Sequence, residues 1–574
     1  MVSVMRVYGK RIIYLILGGF GISFLIFAIP SSRLGLSPAE RPPEWLRRKV
    51  HNKAEFPKNV DVNAPADGFV DKFGMDFPTD IRGEDVAAAT AVDGAAAPAA
   101  VVEKFASELF QSRKLSRKTS DSREANLPWR QEDYHKVPKS RRDLEKWMPD
   151  PSDRKTDDNL AQWIQTYLTP WKNVDTKYEE CKADKTLGET WQKKYKKTWP
   201  IQDSFDQFYF NMGTCDLYRD WNQIRSLLHD IATMPIRHAA IMEGGTQVKL
   251  IITYENGKQS IMKPMRFGRG YETDPNHFYF SDFERHHAEI AAFHLDRVLG
   301  LRHAVPVVGR IVNMSSELRY NAEKSLAKTF FISPAKNLCF VGKCDYYCDT
   351  THAICGAPDL KEGSFQLMLP DEEEVPRDHN RSPYRRTYSK RHQTAVWQKD
   401  PTYCDWKVKR KTQFSHGRRL LDIVELYIFD FLQGNQDRHH FEIMGAFDNY
   451  EAYPVYLDNG RGWGRPSEDD LFILAPLAQC CVIRPSFLKT LLNYYTGPKT
   501  LSRALYESLA EDPVSPVLHP KHFVALERRL DIVLRTVYQC VQNNGGDASK
   551  VIMTEYHNPN VPIDQPETET TEEE

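Results

Sequence analysis

The segment from Gln247 to Met265 is the strongest local constraint on the fold. Gln247–Tyr254 (QVKLIITY) alternates and is β-branched, Asn256-Gly257 supplies a turn pair, and Gln259–Met265 (QSIMKPM) follows, so the spacing predicts a β-hairpin. Ser281–Leu299 then reads as a helix, with Asp282 in its cap region and Ile290, Phe293, His294 and Val298 on one face. Asp422–Leu432 reads as a buried helix, Tyr453–Leu457 as a short strand, and the chain after Arg484 as mainly helical. Upstream, Trp163, Tyr167, Trp171, Trp191, Tyr195 and Trp199 recur as on amphipathic helices, and residues 215–233 read as another helix. Strands early and helices late predict an α+β body of two lobes.

The N-terminus sets the compartment. Arg6, Lys10 and Arg11 precede an uncharged run, Ile12–Pro30. About 18 helical residues span about 27 Å, close to the hydrocarbon thickness of a bilayer. Basic residues on this flank stay cytoplasmic, so residues 1–11 are expected in the cytosol, 12–30 as a signal anchor, and the rest in a lumen. A cleaved signal peptide is the competing reading, but the run is long for one and lacks a clear small-x-small site. Residues 31–154 carry recurrent Pro, an Ala-rich stretch at 87–100 and a basic, Ser-rich stretch at 113–123. They read as a disordered lumenal stem, whose basic stretches are candidate cleavage sites for release. Residues 556–574 read as a disordered acidic tail.

Ten cysteines fit this address: Cys181, Cys215, Cys339, Cys344, Cys348, Cys355, Cys404, Cys480, Cys481 and Cys540. An oxidising lumen favours disulfides, each contributing about 2–4 kcal/mol. Zinc is the rival for Cys339, Cys344, Cys348 and Cys355, but their spacing is looser than the paired CxxC of zinc sites. Asn313 and Asn380 head Asn-x-Ser glycosylation sequons. With 77 basic and 78 acidic residues, the chain offers no electrostatic case for nucleic acid as a partner.

Five residues carry chemistry in a telling order. In DFLQGNQDRHHFE, a buried helix runs into a turn at Gly434-Asn435, then Asp437 and, five residues on, Glu442. Protein kinases place a catalytic-loop Asp and a metal-binding Asn at that separation. Asp458-Asn459-Gly460 follows a strand 21 residues after Asp437, where kinases carry the metal-binding Asp-Phe-Gly. Lys263 sits on the second hairpin strand and Glu284 follows 21 residues later, at the start of the predicted helix. A kinase needs such a Lys for the phosphates and such a Glu to orient it. Lys249 is a rival for the phosphates, and Glu243-Gly244-Gly245-Thr246 stands where a phosphate-covering loop belongs. Taken singly, Asp437 reads as a turn residue, Asp458-Asn459-Gly460 as a hairpin turn and Glu284 as a solvated helix residue. The adjacent pair His439-His440 lacks helical metal-ligand spacing.

QGNQDRHHFE, LDNGRGWG and FYFSDFERHHAEIAAFHLDRVLG resemble the four-jointed-related family of secretory-pathway kinases. FFISPAKNLCFVGKCDYYCDTTHAIC is most similar to its Golgi casein kinase branch. The resemblance, over roughly residues 200–550, implies an α+β, atypical two-lobe protein-kinase-like fold with helical insertions and disulfides. The kinase domain is expected at 155–555, with an N-lobe at about 155–365 and a C-lobe at about 366–555. Asp437 is implied as the catalytic base, with Lys263 on the phosphates of ATP and paired with Glu284. Glu284 and Asp458 would hold a divalent ion, Mn2+ or Mg2+. Gln247 would lie in the nucleotide cleft, Glu442 would replace the usual Asn, and Gln366, Leu367, Met368 and Leu369 would form the adenine-facing hinge. Bridges Cys339–Cys355, Cys344–Cys348, Cys404–Cys480 and Cys481–Cys540 are implied, leaving Cys181 with Cys215 by elimination.

The implied activity is transfer of the ATP γ-phosphate to secreted proteins at Ser-x-Glu-type sites, in the Golgi lumen or after secretion. Arg381–Arg391 and Lys407–Lys411 are candidate basic surfaces for such substrates. A homodimer, or a complex with a related pseudokinase, is implied by the family alone. The alternatives are a xylose kinase acting on the proteoglycan linker and an inactive regulatory subunit. Retention of Glu284, Asp437 and Asp458 argues against the latter.

Overall fold

The computed structural model describes residues 185–562 apart from 275–278, 373–374, 389–393 and 445–452, together with Gln162, Ile164 and Trp171. The expected anchor at 12–30, the stem and Cys181 lie outside the described residues. Among the described residues, no helix is long and apolar enough to cross a membrane.

The predicted hairpin forms from β2 (Leu250–Tyr254) and β3 (Gln259–Pro264), and Gly257 takes φ +79° in its turn. With β1 (Ile236–Ile241), β4 (Val307–Asn313) and β8 (Leu360–Leu367) it builds an antiparallel sheet in the order β1-β2-β3-β8-β4. Among residues 185–235, three helices precede it: α1 (Leu187–Tyr195), α2 (Ser204–Asn211) and α3 (Trp221–Thr233). Helix α3 starts later than expected because Asp220 caps it, accepting from the Asn222 N–H at 2.8 Å; Ile224, Leu227 and Ile231 face the core. Helix α4 (His286–Leu299) packs on β4 and β8 and ends at Gly300.

An insertion carries a small sheet of β5 (Phe331–Ile332), β6 (Leu338–Phe340) and β7 (Ile354–Cys355). Cys339 and Cys355 face each other across β6 and β7 and are bridged, and Cys344–Cys348 closes the adjoining loop.

The second lobe is organised around α5 (Arg419–Gln433), whose fifteen residues are all buried. A helix apolar all round belongs in a core, and its polar members are paired: Asp422 with Arg418 and Arg484, Glu425 with Arg484, Asp430 with Arg438. A three-stranded sheet, β9 (Arg377–Arg381), β11 (His440–Met444) and β12 (Pro454–Val455), carries the cleft-facing loops. Helices α6 (Ala475–Cys480), α7 (Pro485–Thr496), α8 (Leu501–Leu509) and α9 (Lys521–Asn543) complete the lobe. Cys404–Cys480 and Cys481–Cys540 diverge from adjacent residues to fix α6 on two sides. Cys215 is also disulfide-bonded.

The tail begins later than expected. Tyr556–His557 (β13) pairs with His416–Gly417 (β10), and the Asn558 N–H donates to the Ser415 carbonyl at 2.8 Å. These backbone bonds hold the chain down before the Thr/Glu run begins. The described residues form an α+β, two-lobe kinase-like fold around one continuous apolar core.

Candidate active site

Lys263 is the centre of the site. It sits on β3 opposite Ser364 of β8, and its side chain is 8% exposed. Its ammonium lies 2.6 Å from Glu289 Oε1, 3.0 Å from Glu284 Oε2 and 3.6 Å from Asp458 Oδ1. Burial alone would lower its pKa, but Glu284, Glu289 and Asp458 together hold it well above the usual lysine value.

Glu289, not Glu284, is the helical partner of Lys263. Sequence reasoning placed Glu284 on the helix, but α4 begins at His286. The Arg285 N–H donates to the Gly460 carbonyl at 2.6 Å, which holds the preceding residues extended. Asp282 does not cap the helix; it accepts from Thr273 and Arg285 instead. Glu289 then falls in the first turn, fully buried, with Oε2 accepting the backbone N–H of Asn459 at 3.1 Å. The available signal was a carboxylate amid small and apolar residues, Ala288 and Ile290 to Phe293.

Glu284 and Asp458, the pair expected to hold the cation, both approach Lys263. Glu284 Oε1 accepts from the Thr246 hydroxyl at 3.3 Å, while its buried Oε2 faces Lys263 without a directed hydrogen bond. Burial pushes Glu284 up, but Lys263 outweighs it and, with help from Arg461, holds the carboxyl below its ordinary range against Asp458. Asp458 adopts φ +53°, which turns its half-exposed carboxylate toward the cleft. Desolvation works to raise it; Lys263, Lys249, His440 and Arg438 bring it down to about 2. Gly460 makes room for this pair, since a Cβ there would meet Glu284 Cβ at 2.9 Å and Oε2 at 3.1 Å. Two ionised carboxylates, one of them half-exposed to the cleft, fit a hard divalent cation that would take further ligands from phosphate and water.

The nucleotide-side residues fall into two groups. Gln247 is 3% exposed and neither end of its amide has a hydrogen-bond partner, as expected of a side chain built to meet a ligand. Lys249 also points toward the loop, its Nζ lying 3.1 Å from where a Cβ on Gly245 would sit. Gln366 and Leu367 end β8 and are buried; Met368 and Leu369 lead into the second lobe. The Met368 N–H donates to Gln259 and its carbonyl accepts from Tyr209 at 2.7 Å, which fixes the crossing between lobes. Glu442 is near enough to Asp458 to feel its charge but is ion-paired elsewhere. It stands on β11, 3.2 Å from Arg377 and 3.4 Å from His379. Burial pushes its carboxyl up, against His379 and Arg377.

Asp437, the expected base, lies on the loop that follows α5. Gly434 ends α5 at φ +73°, where a Cβ would be penalised, and hands the chain to Asn435, whose side chain caps Asp437 N at 3.1 Å. Arg438 locks this loop. Its guanidinium makes a bidentate pair with Asp430 at 2.8 Å and reaches both the Leu457 carbonyl and the Asn459 side chain. Asp437 Oδ1 accepts from Tyr388 at 3.3 Å and lies 3.4 Å from His439 Nδ1, and Oδ2 is ion-paired with Arg461. Arg461 was not singled out from the sequence, where it is one basic residue in a glycine-rich loop. His439 and His440 adjoin the site as Asp437 and Asp458 neighbours.

Asn313 caps the turn that follows it, accepting from Ser315 and Ser316 and donating to Asp359 at 3.1 Å; Asn380 lies on β9, an edge strand.

A lysine–glutamate pair, two metal-type carboxylates and a separate aspartate across the cleft are the parts of a phosphoryl-transfer site. The family model described as "Golgi casein kinase, C-terminal, Fam20" matches residues 203–549. The chain is 56% identical over 393 residues to "Extracellular serine/threonine protein kinase CeFam20" of Caenorhabditis elegans, covering 68% of this chain and 76% of that one. A crystal structure of the Golgi casein kinase superposes with a TM-score of 0.68 at 54% identity, over 72% of this chain and 97% of the other. Its form with Mn and ADP bound matches at a TM-score of 0.67, also at 54% identity, with the same coverage. By sequence, fold and site, this chain belongs to the Fam20 Golgi casein kinase family.

Proposed function

We propose that this chain is an ATP-dependent serine/threonine protein kinase that phosphorylates secreted proteins, with Asp437 as base and Glu284 and Asp458 as the ligands of Mn2+ or Mg2+. The observation that carries this reading is the Lys263 ammonium held among Glu284, Glu289 and Asp458, all retained and buried or facing one cleft. The name of the Caenorhabditis elegans relative and the Mn/ADP-bound structural neighbour support it.

Phosphoryl transfer needs charge neutralisation and positioning more than covalent help. A divalent cation held by Glu284 and Asp458 would offset the negative charge of the phosphates. Lys263 supplies a fixed positive charge at the phosphates, and Glu289 fixes its direction. Gln247 meets the nucleotide, and residues 366–369 bound the adenine end. Asp437 accepts the proton of the acceptor hydroxyl, from a loop immobilised by the Arg438–Asp430 pair. Acidic sequence near the acceptor would meet Arg381, Arg385 and Arg386, of the basic segment that also supplies Tyr388.

The remaining assignments belong to the same reading: a Golgi-lumenal enzyme anchored by residues 12–30, released by stem cleavage, glycosylated at Asn313 and Asn380, and acting as a homodimer or with a related pseudokinase. The deciding experiment is ATP phosphotransfer with Mn2+ to dephosphorylated casein and, in parallel, to a xylose-containing linker tetrasaccharide. Casein labelling that is absent in Asp458→Ala supports the protein kinase. Labelling of the sugar alone would reassign the acceptor, and nucleotide binding without labelling would leave a regulatory subunit.

A further inference from the structure

Arg461 holds a position that the kinase parts above do not account for. It follows Asp458 by three residues and is buried, its side chain 8% exposed. Its guanidinium reaches three separate segments. Nη1 pairs with Asp437 Oδ2, Nη2 donates to the Thr246 hydroxyl at 2.9 Å, and Nε donates to the Asp282 carbonyl at 3.3 Å. Thr246 in turn donates to Glu284.

The two ends of this bridge have distinct chemistry. Asp437 is where the acceptor hydroxyl must sit. Thr246 belongs to the glycine loop beside the ion-binding Glu284, on the phosphate side. A cation touching both is within reach of the acceptor hydroxyl and of the phosphoryl group. Guanidinium suits that place: it stays charged at any working pH, and its fork of donors matches phosphoryl oxygens.

A structural role is the simpler reading of a buried Arg–Asp pair, but it explains little here. Buried pairs contribute weakly to net stability because desolvation offsets attraction. This pair also occupies Oδ2, one of the two oxygens at which the acceptor's proton must arrive, while Tyr388 and His439 crowd the other, so opening the pair frees a base oxygen.

We propose that Arg461 is a catalytic cation supplied within the chain: it rests on Asp437 and turns onto the phosphoryl group in transit when the acceptor hydroxyl takes its place. This rests on the protein-kinase reading. In the step, the acceptor oxygen forms a bond to the γ-phosphorus and its proton passes to Asp437. The bond from phosphorus to the β,γ-bridging oxygen breaks, and ADP departs with the electron pair. Arg461 exchanges no proton and forms no covalent bond; it offsets charge on the oxygens as the group moves.

The test compares the full chain with R461Q and R461K by four measurements: kcat on dephosphorylated casein, KM for ATP, ADP·Mn affinity by calorimetry, and the gain in ADP·Mn affinity on adding aluminium fluoride, a mimic of the phosphoryl group in transit. In R461Q, kcat is expected to fall about 10³-fold or more, the range for arginines of this type. ADP·Mn affinity should stay within about 3-fold and the aluminium fluoride gain should vanish, because the group acts on the moving phosphoryl and not on the nucleotide. R461K keeps the charge without the fork, and should recover only part of both; it also serves if R461Q does not fold. An aluminium fluoride gain undiminished in both variants overturns the inference, as does kcat loss that merely tracks lost ADP·Mn affinity and a lowered melting temperature. A wild type that labels neither casein nor sugar overturns the kinase reading and this inference with it; an active wild type beside an equally active R461Q overturns the role of Arg461 alone.

Discussion

Glu289 holds Lys263 at 2.6 Å with one carboxylate oxygen and the backbone N–H of Asn459 at 3.1 Å with the other. One side chain thus sets both the phosphate-side lysine and the turn that carries Asp458. Glu289→Gln keeps the volume and removes the charge. We expect kcat/KM to fall about 10²-fold or more, as when a preorganised electrostatic partner is lost, with the melting temperature changed by only a few degrees. Steady-state kinetics beside a thermal melt checks both halves.

Gly460 is required by approach distance. A methyl group there meets Glu284 Cβ at 2.9 Å and Oε2 at 3.1 Å. Gly460→Ala should push Glu284 from its ion-binding position. Calorimetric titration with ADP and Mn2+ should show affinity weakened about 10-fold or more, while far-UV circular dichroism is unchanged. Unaltered affinity would mean that Glu284 does not hold the cation.

The Asp430–Arg438 pair is nearly inaccessible, at 0% and 4% side-chain exposure. Asp430→Asn leaves a buried guanidinium without its counter-charge. Breaking such a pair costs about 3–5 kcal/mol, which denaturant unfolding should register, and the Asp437 loop should lose activity with it.

His294 is buried on α4 against Ser508 of α8 at 2.6 Å, and burial followed by Arg297 depresses its pKa to about 3. The unfolded chain protonates this histidine near pH 6.5, whereas the folded one does not until about pH 3. The unfolded state therefore binds more protons between these values, and this group's contribution to stability falls as pH drops below about 6.5. The advantage of wild type over His294→Gln should shrink by on the order of 1 kcal/mol from pH 7.5 to 5.5. Using the difference between the two proteins removes the opposing effect of Asp296, raised by burial to about 7. A constant difference across that range would show that His294 is accessible to protons.

Cys481–Cys540 ties α6 to α9 across 59 residues of sequence. Replacing both cysteines by serine should destabilise the chain by about 2–5 kcal/mol. The active-site residues lie elsewhere, so kcat at 20 °C should change little.

What was legible in the sequence was local. The hairpin shows itself in alternation around Asn256-Gly257, and α5 in an apolar run ended by Gly434. Asp437, Asp458 and Lys263 follow from their order along the chain. What failed depended on contacts between distant segments. The start of α4 was misplaced because a single bond, Arg285 N–H to the Gly460 carbonyl, competes with helix there, and no periodicity reports it. Glu284 therefore looked helical and Glu289 went unnoticed. Arg461 was invisible for the same reason: its meaning lies in Asp437 and Thr246, which are remote in sequence.

That same Arg285–Gly460 bond bears on control. Many kinases are switched off by swinging the glutamate-bearing helix away from the lysine. Here the entry to α4 is tied to the turn carrying Asp458, and its outer face is held by α8 through His294 and Ser508. The helix and the Asp458 turn are thus coupled: swinging the one would break the Arg285–Gly460 bond and disturb the other, so the lysine's partner and the turn are set or lost together.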